Sequence, residues 1–258
     1  MSRKPDEGEE ELAEGTLLSH LVELRNRLVK ISAAVILLFA ALLPFNQDIY
    51  DIVSRPVRAA IPSGEMIIIG AAAPLLVPFK LTFIVSLFFA MPVILYQIWA
   101  FIAPGLYRKE KRFALPLLAS SVALFYAGVA FAYYVVFPLV FAFFGSIEIE
   151  GAPWTPDIGF YLDFITALVL AFGAAFEIPI ATVLVVWAGL TTPQKLTKAR
   201  PYVFLMCFVV GMLLTPPDVI SQTLLAIPVY LLYEIGVLMS RFFVKKPDEA
   251  GDETAAVK

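Results

Sequence analysis

Apolar runs separated by short polar segments dominate this chain. Several of them approach or exceed the ~20 residues that a helix needs to cross ~30 Å of hydrocarbon. Six candidate spans follow, at approximately 29–45, 75–98, 113–144, 161–189, 201–215 and 222–239. All six are predicted to be helices, because lipid offers no partners for the backbone groups of an open strand edge.

Internal prolines and uneven span lengths predict a bent, concave bundle. Each proline removes a backbone donor and can bend its helix. The fifth span would be ~22 Å long at 1.5 Å per residue, short of the hydrocarbon thickness. Two explanations stay open: short helices thin the bilayer at one edge, or they pack inside an assembly. The prolines within the candidate spans are Pro78, Pro92, Pro116, Pro138, Pro179 and Pro228.

Composition agrees with a membrane protein. Hydrophobic residues make up 60% of the 258 residues, and charged residues make up 16%, too few to cover the surface of a soluble domain. We therefore predict an all-α polytopic protein whose six-helix membrane domain occupies residues 16–243. Six acids between Asp6 and Glu14 predict a disordered cytoplasmic tail at residues 1–15, and residues 244–258 form a second predicted tail.

Lysine and arginine lie almost entirely in alternate connecting segments. Five precede residue 31, four surround Glu110, three lie at 191–200 and four follow residue 240, which together are 16 of the 19 in the chain. The loop 46–74 has two, and the segments 145–160 and 216–221 have none. Because cytoplasmic loops carry the excess of basic residues, both termini are predicted to lie in the cytoplasm.

Histidine and cysteine usage excludes several classes of protein. The single histidine, His20, and the single cysteine, Cys207, exclude an intramolecular disulfide and a His/Cys metal site built by one chain. The HExxH pattern of metalloproteases does not occur. His20 precedes the first span, which argues against a serine–histidine hydrolase inside the membrane. We therefore expect no enzyme, no metal and no cofactor.

Glu177 lies deep in the fourth candidate span, within "ALVLAFGAAFEIPIATVL". An ionised carboxylate at mid-membrane costs about 3 kcal/mol on insertion scales, so this side chain should face the bundle interior, a partner or water. It is either a functional carboxylate or a group whose interhelical hydrogen bond only specifies packing. A proton-coupled secondary transporter of a small solute, with Glu177 as the proton carrier, is an alternative function.

Other polar residues favour structural roles. Glu234, near the cytoplasmic end of the last span, is predicted to form an ion pair or to reach the interface. Asp218 follows two prolines and is predicted to cap the next helix. Thr215 and Gln222 could hydrogen-bond to a neighbouring helix in lipid. Lys80 and Asp163 are expected near the outer ends of their spans.

The segment "LLSHLVELRNRLVK" is amphipathic, with leucines at helical spacing and with Glu23 and Arg27 at i,i+4. We expect it to lie along the cytoplasmic membrane surface before the first span. A surface pair with Arg27 is the simplest role for Glu23. Likewise, Glu110 within "LYRKEKR" is explained most simply by charge compensation among four basic neighbours.

Four longer motifs follow one another along the chain: "HLVELRNRL" (20–28), "PVILYQIWAFIAPGLYRKEKR" (92–112), "AFGAAFEIPIA" (171–181) and "RPYVFLMCFVVGMLLTPPDVISQTLLAIP" (200–228). In this order they resemble the TatC family, the integral receptor subunits of the twin-arginine protein translocase. The likeness extends from about residue 16 to residue 243 and includes the six-span layout.

This resemblance implies transport of folded proteins across the bacterial cytoplasmic membrane, driven by the proton-motive force. It implies that Glu23, Glu110 and Phe101 bind twin-arginine signal peptides, and that Glu177 is the intramembrane glutamate of a concave bundle. Pro56 and Asp218 match outer-side positions. The fifth and sixth helices match the edge that docks small single-span partners of the TatA and TatB type, with Met206, Thr215 and Gln222 as the candidate docking residues. Membrane lipids and further copies are expected partners, and nucleic acid is not.

Overall fold

The computed structural model describes residues 6–61, 66–106, 114–147, 155–215 and 218–243, and within these ranges the regular secondary structure is helical. Ten α-helices are defined there: α1 (Asp6–Leu42), α2 (Asn46–Ala60), α3 (Ala73–Phe89), α4 (Met91–Leu106), α5 (Ala114–Phe131), α6 (Phe137–Ser146), α7 (Ile158–Ala175), α8 (Ile178–Trp187), α9 (Pro193–Leu214) and α10 (Val219–Ser240). Short 3₁₀ turns at Leu43–Phe45 and Arg241–Phe243 and a π-helix at Ala132–Val136 complete the described helical structure.

Five helical segments of the described chain are long and apolar enough to cross a membrane: Ser19–Pro56, Leu115–Ser146, Ile158–Trp187, Pro193–Leu214 and Val219–Ser240. A sixth forms when Ala73–Phe89 and Met91–Phe101, which meet at an angle of 51°, are taken as one bent span. The predicted all-α membrane class is confirmed, and the six predicted spans correspond to these five helical segments and the bent pair.

The amphipathic N-terminal segment and the first span form one helix. α1 runs for 37 residues without interruption, so the predicted surface helix followed by a separate span is wrong. The physical reason is that residues 16–42 contain neither glycine nor proline, the residues that break helices. α1 begins at Asp6, within the segment predicted as a disordered tail, and acidic residues suit a helix N-terminus. The disorder of that tail stays a prediction.

Three of the prolines in the predicted spans accompany irregular backbone. Pro92 lies in the first turn of α4, directly after the 51° bend. Pro179 lies in the first turn of α8, where the fourth span is interrupted, and Pro138 follows the π-helix. A proline has no N–H to give to the carbonyl four residues earlier, so the helix re-forms in a new register or direction. Pro78 and Pro228, by contrast, lie inside α3 and α10.

The described helices fall into two compact units. The first takes in the chain up to Ala123 together with Phe141–Thr166. In it α1 packs against α3 and α4, and α2 packs against α3. The Tyr161 hydroxyl donates to the Val53 carbonyl at 2.9 Å, and Lys80 pairs with Asp163, so α7 is joined to both α2 and α3 by polar contacts.

The second unit takes in Leu124–Val140 and the chain from Ala167 onward. Here α10 packs against α8 and α9, and α5 approaches α7 at Gly128 and Gly173. A Cβ at Gly128 would lie 2.5 Å from the Phe172 carbonyl oxygen, and one at Gly173 would lie 2.6 Å from the Phe125 ring. Both glycines therefore permit the close approach of the two helices, as small residues do between membrane helices.

In the first unit, Asp157 ties the loop before α3 to the start of α7. Its carboxylate accepts hydrogen bonds from the Gly159 and Phe160 N–H groups at 2.9 and 3.1 Å, and from the Ile69 N–H at 3.1 Å. The backbone bond from Phe160, with those from Ile69 and Gly159, lowers the pKa of Asp157 against the opposing effect of burial. Ile67 also pairs with Asp157 in an isolated parallel bridge.

The glycine contact at Gly128 predicts a loss of stability on adding one methyl group. Gly128→Ala should lower the free energy of unfolding by about 1–3 kcal/mol, because its Cβ meets a backbone carbonyl that cannot rotate away. The midpoint of thermal unfolding in detergent should fall by about 3–10 °C. Gly70→Ala is the matched control, since its nearest contact would be an ordinary 3.4 Å to Ala73. Equal midpoints for the two variants would contradict this packing.

The lowered pKa of Asp157 predicts a pH dependence of stability. Its ionised form is favoured in the folded protein, so its contribution is fully present above the unfolded value of about 3.9 and is lost as pH falls through the lower folded pKa. Asp157→Ala should therefore lower the thermal midpoint at pH 6, and its difference from wild type should shrink below about pH 4. A difference that stays constant from pH 6 to pH 3 would show that ionisation of Asp157 does not matter.

Candidate functional site

Glu23 and Arg27 lie one turn apart on α1, and Arg27 joins that turn to α4. The Arg27 guanidinium donates to Glu23 Oε1 from Nη2 at 2.5 Å and from Nε at 3.1 Å. Its Nη1 donates to Gln97 Oε1 at 3.2 Å, and its Nη2 also donates to the Ala100 carbonyl at 2.9 Å. Four hydrogen bonds from one guanidinium therefore connect a carboxylate, an amide and a backbone carbonyl.

The burial of this cluster separates it from an ordinary surface ion pair. The side chains of Arg27 and Glu23 are 19% and 39% exposed, and Gln97 is buried, with only 8% of its surface exposed. The predicted i,i+4 pair of Glu23 and Arg27 is confirmed, but sequence reasoning missed Gln97. A signal was available, because Gln97 is a polar residue within the apolar run "VILYQIWAF".

Phe101 lies beside this cluster and stacks on a ring from α1. The ring centroids of Phe101 and His20 are 4.3 Å apart, with an angle of 28° between the planes. His20 precedes Glu23 by one helical turn, and Phe101 directly follows Ala100. The structure thus brings together two of the predicted signal-binding residues, Glu23 and Phe101. The third, Glu110, lies outside the described residues.

Glu177 lies at the interruption between α7 and α8. Its N–H donates to the Ala174 carbonyl at 3.1 Å in a tightened turn, and its own carbonyl accepts from Ala181 at 2.9 Å. The residue is half-buried, and its Oε1 atom is buried. This position at the N-terminus of α8 favours negative charge, because the helix dipole gives the first turn of a helix partial positive charge. Glu177 therefore lies where the helix of its span is interrupted, at a position that favours a carboxylate.

Aromatic packing surrounds the same interruption. The Phe131 ring of α5 lies 5.6 Å from the ring of Phe176 and 5.5 Å from that of Phe172. With Gly128 permitting close approach, α5 packs directly on the last turn of α7. The position of Glu177 thus depends on how α5 fits against α7.

Asp218 caps α10, as predicted. Its Oδ1 accepts from the Ser221 N–H at 2.7 Å, and its backbone is extended. Gln222, in the first turn of α10, donates from Nε2 to the Phe208 carbonyl of α9 at 2.7 Å. Thr215 ends α9 and donates to the Gly211 carbonyl of its own helix. The predicted contact to a neighbouring helix is therefore made by Gln222 and not by Thr215.

Met206 lies apart from that cluster. It is 54% exposed on α9 and precedes Thr215 by nine residues, or ~13 Å along the helix axis. Met212, which sequence reasoning missed, is 53% exposed and lies within one turn of Thr215. The docking role of Met206 stays a prediction, and the structure adds Met212 as the exposed methionine nearer to Thr215 along the chain.

Pro56 lies inside α2 and is half-buried. Ser54 near it is fully buried, and Arg58, two residues later, pairs with Asp51 at 3.6 Å. Arg58 also lies over the Tyr50 ring at 5.4 Å from its centroid. These contacts fit a structural role for the turn that contains Pro56.

Glu234 forms the predicted ion pair, with a partner far away in sequence. Arg200 Nη2 donates to its Oε2 at 2.5 Å, and the Tyr230 hydroxyl donates to its Oε1 at 2.7 Å. α9 and α10 are thereby joined near the end opposite to Asp218. Within the described ranges, no group of three or more His, Cys, Asp and Glu side chains is placed to hold a metal ion.

A family model and individual relatives with similar sequences all point to the same protein family. The family model described as "Sec-independent protein translocase protein (TatC)" matches residues 19–228. The TatC protein of Azotobacter chroococcum mcd 1 is 58% identical over 238 residues, 92% of each chain. That of Escherichia coli K12 is 56% identical over 231 residues, which cover 89% of this chain and 90% of its own.

A solved structure supports the same assignment. The crystal structure of the twin arginine translocase receptor TatC superimposes with a TM-score of 0.79 at 37% identity, covering 87% of this chain and 99% of its own. The TatC protein of Aquifex aeolicus VF5 is 37% identical over 236 residues, which cover 90% of this chain and 98% of its own. On the family match, these identities and the shared fold, the chain belongs to the TatC family of Sec-independent protein translocase proteins.

Proposed function

We propose that this chain is the receptor subunit of its translocase and that it binds twin-arginine signal peptides through Glu23, Glu110 and Phe101. TatC proteins are components of a protein translocase complex rather than enzymes, so the function to explain is recognition. The observation that carries the proposal is the α1–α4 cluster, in which the partly exposed Glu23 carboxylate lies one helical turn from His20, whose ring stacks on Phe101.

The chemistry of the ligand supports these residues. A guanidinium forms charge-assisted and often bidentate hydrogen bonds with a carboxylate, and these are among the stronger polar contacts in proteins. Two consecutive arginines call for two carboxylates, and Glu23 and Glu110 belong to different segments that could converge. Phe101 offers an aromatic face to an arginine or to the apolar part of a signal peptide.

A cytoplasmic orientation of this cluster is part of the proposal. The comparisons and the apolar helices make the chain a membrane protein. We infer the inner membrane and cytoplasmic termini from the 16 of 19 basic residues in alternate segments. The cluster at Glu23 would then face the compartment where signal peptides are made, and the basic neighbours of Glu110 would point to lipid phosphates or acidic partners.

Docking of small single-span subunits is assigned to the outer halves of α9 and α10. Gln222 and Thr215 supply polar groups there, and Met206 and Met212 supply exposed apolar surface. In lipid, packing of side chains and interhelical hydrogen bonds drive helix association, so such a mixed edge suits a partner helix. Several copies would assemble, and the proton-motive force would drive transport of folded cargo.

Glu177 is assigned a step after signal recognition. It lies at an interrupted span, on a different compact unit from Glu23. The alternative function, a proton-coupled transporter of a small solute, is wrong, because the chain matches the translocase family over most of its length. Pro56 and Asp218 are assigned to the structure of the outer side, as a helix turn and a helix cap.

Replacement of the two acids tests the receptor assignment. Glu23→Gln and Glu110→Gln should each weaken binding of a synthetic twin-arginine signal peptide by about 10–100-fold, because each loses a charge-assisted hydrogen bond. Export of folded cargo should fall in parallel. Asp48→Asn is the matched control, since it removes one negative charge from an exposed position of α2. Wild-type peptide affinity in the Glu23→Gln, Glu110→Gln double variant would refute the assignment.

Separation of early and late steps tests Glu177. In Glu177→Gln, a photoreactive residue beside the signal arginines should still crosslink to this chain as in wild type, because the recognition cluster is unchanged. Export should fall at least tenfold if a carboxylate at the broken span is needed later. Ala174→Ser, a change in the same turn that keeps the carboxylate, should export normally. Loss of the crosslink in Glu177→Gln would contradict this division of roles.

A further inference from the structure

The proposed acceptor of a signal arginine is already bound to an arginine of this chain. Both Nε and Nη2 of Arg27 donate to Glu23 Oε1. We propose that Arg27 is an intramolecular competitor for the Glu23 carboxylate, which an incoming cationic ligand must displace, and that it thereby sets the affinity threshold of the signal-peptide site. This inference rests on the proposed role of Glu23.

The surroundings of Arg27 explain why it competes well. Its guanidinium is held from the α4 side by Gln97 Oε1 and by the Ala100 carbonyl. These two acceptors fix the plane of the guanidinium, so little side-chain freedom is lost when it also contacts Glu23. A partner supplied by the same chain has a high effective concentration, which does not depend on dilution.

The same surroundings explain how Arg27 can give way. When a ligand takes Glu23 Oε1, Arg27 keeps its bonds to Gln97 and Ala100, so its charge is not left buried without partners. Glu23 is the more exposed member of the pair, at 39% against 19%. The carboxylate can therefore turn toward a ligand while the guanidinium stays in place. Exchange of partners costs less than breaking a fully buried ion pair.

Competition of this kind affects every cationic ligand by the same factor. The apparent dissociation constant equals the intrinsic one divided by the fraction of molecules in which the carboxylate is free. A weak ligand, such as a twin-lysine peptide that lacks the planar fork of arginine, then falls below a useful affinity, while a twin-arginine peptide stays above it. Arg27 thus rejects poor signals without reading them directly.

Peptide binding to the full chain in lipid nanodiscs tests the inference. The probes are fluorescent signal peptides with consecutive arginines or with lysines in their place. Arg27→Gln should tighten binding of both by the same factor, about tenfold, and leave their ratio unchanged. Arg27→Lys, which keeps the charge but lacks the fork, should tighten both by a smaller factor. Lys30→Gln is the control, because it removes one positive charge from an exposed position on the same helix.

A double-mutant cycle separates competition from general electrostatics. The gain from Arg27→Gln should vanish in a Glu23→Gln background, since no carboxylate is left to release. If Arg27→Gln and Arg27→Lys both weaken binding of the twin-arginine peptide, Arg27 positions Glu23 and the inference is overturned. An equal gain in Lys30→Gln would also overturn it.

The same assay distinguishes failure of the proposed function from failure of this inference. Wild-type binding by Glu23→Gln would show that Glu23 is not the acceptor, and the proposed function would fail with it. Weakened binding by Glu23→Gln, together with unchanged binding by Arg27→Gln, would leave the receptor role of Glu23 intact and reject Arg27 as a competitor. Thermal unfolding of each variant confirms that it is folded before its affinity is compared.

Discussion

A polar group inside hydrocarbon must find its hydrogen-bond partner within the protein, and several polar side chains in the spans of this chain follow that constraint. Gln97 accepts a hydrogen bond from Arg27, and Gln222 donates one to a carbonyl of α9. Glu234 accepts hydrogen bonds from both Arg200 and Tyr230. The contact of Tyr230 lies within α10. Each of the others joins two helices that hydrophobic packing alone would leave free to slide past each other. The constraint thus turns a few polar residues into the positions that fix helix register.

Backbone groups obey the same constraint, and the prolines show how. At Pro92, Pro138 and Pro179 the regular α-helix is interrupted by a bend, a π-helix or a tightened turn, because a proline has no N–H to donate to the carbonyl four residues earlier. The break before Pro179 places Glu177 at a helix N-terminus inside a span. A carboxylate that would be costly in a continuous apolar helix thereby gains a favourable local field.

Local features were predictable from the sequence, and long-range partners were not. Apolar runs gave the helical class, and Asp218 was recognised as a cap because its partner, Ser221, is three residues away. The i,i+4 pair of Glu23 and Arg27 was found for the same reason. Gln97 lies 70 residues from Arg27, and Arg200 lies 34 from Glu234, so no periodicity or spacing connects them. The surface helix was wrong because amphipathicity does not stop a helix that lacks a breaker.

The requirement for paired polar groups also shapes recognition. A receptor that binds guanidinium groups at a membrane interface needs a carboxylate, yet a half-buried carboxylate is costly while no ligand is bound. In this chain Arg27 resolves the conflict, because it pairs with Glu23 in the absence of ligand and is itself held by α4. With the role proposed for Glu23, binding is an exchange of one arginine for another rather than the filling of an empty site. Its free energy is the difference between two similar contacts, so affinity stays moderate although each contact is strong. A receptor that must hand its cargo on to a later step needs that combination of specific contact and easy release.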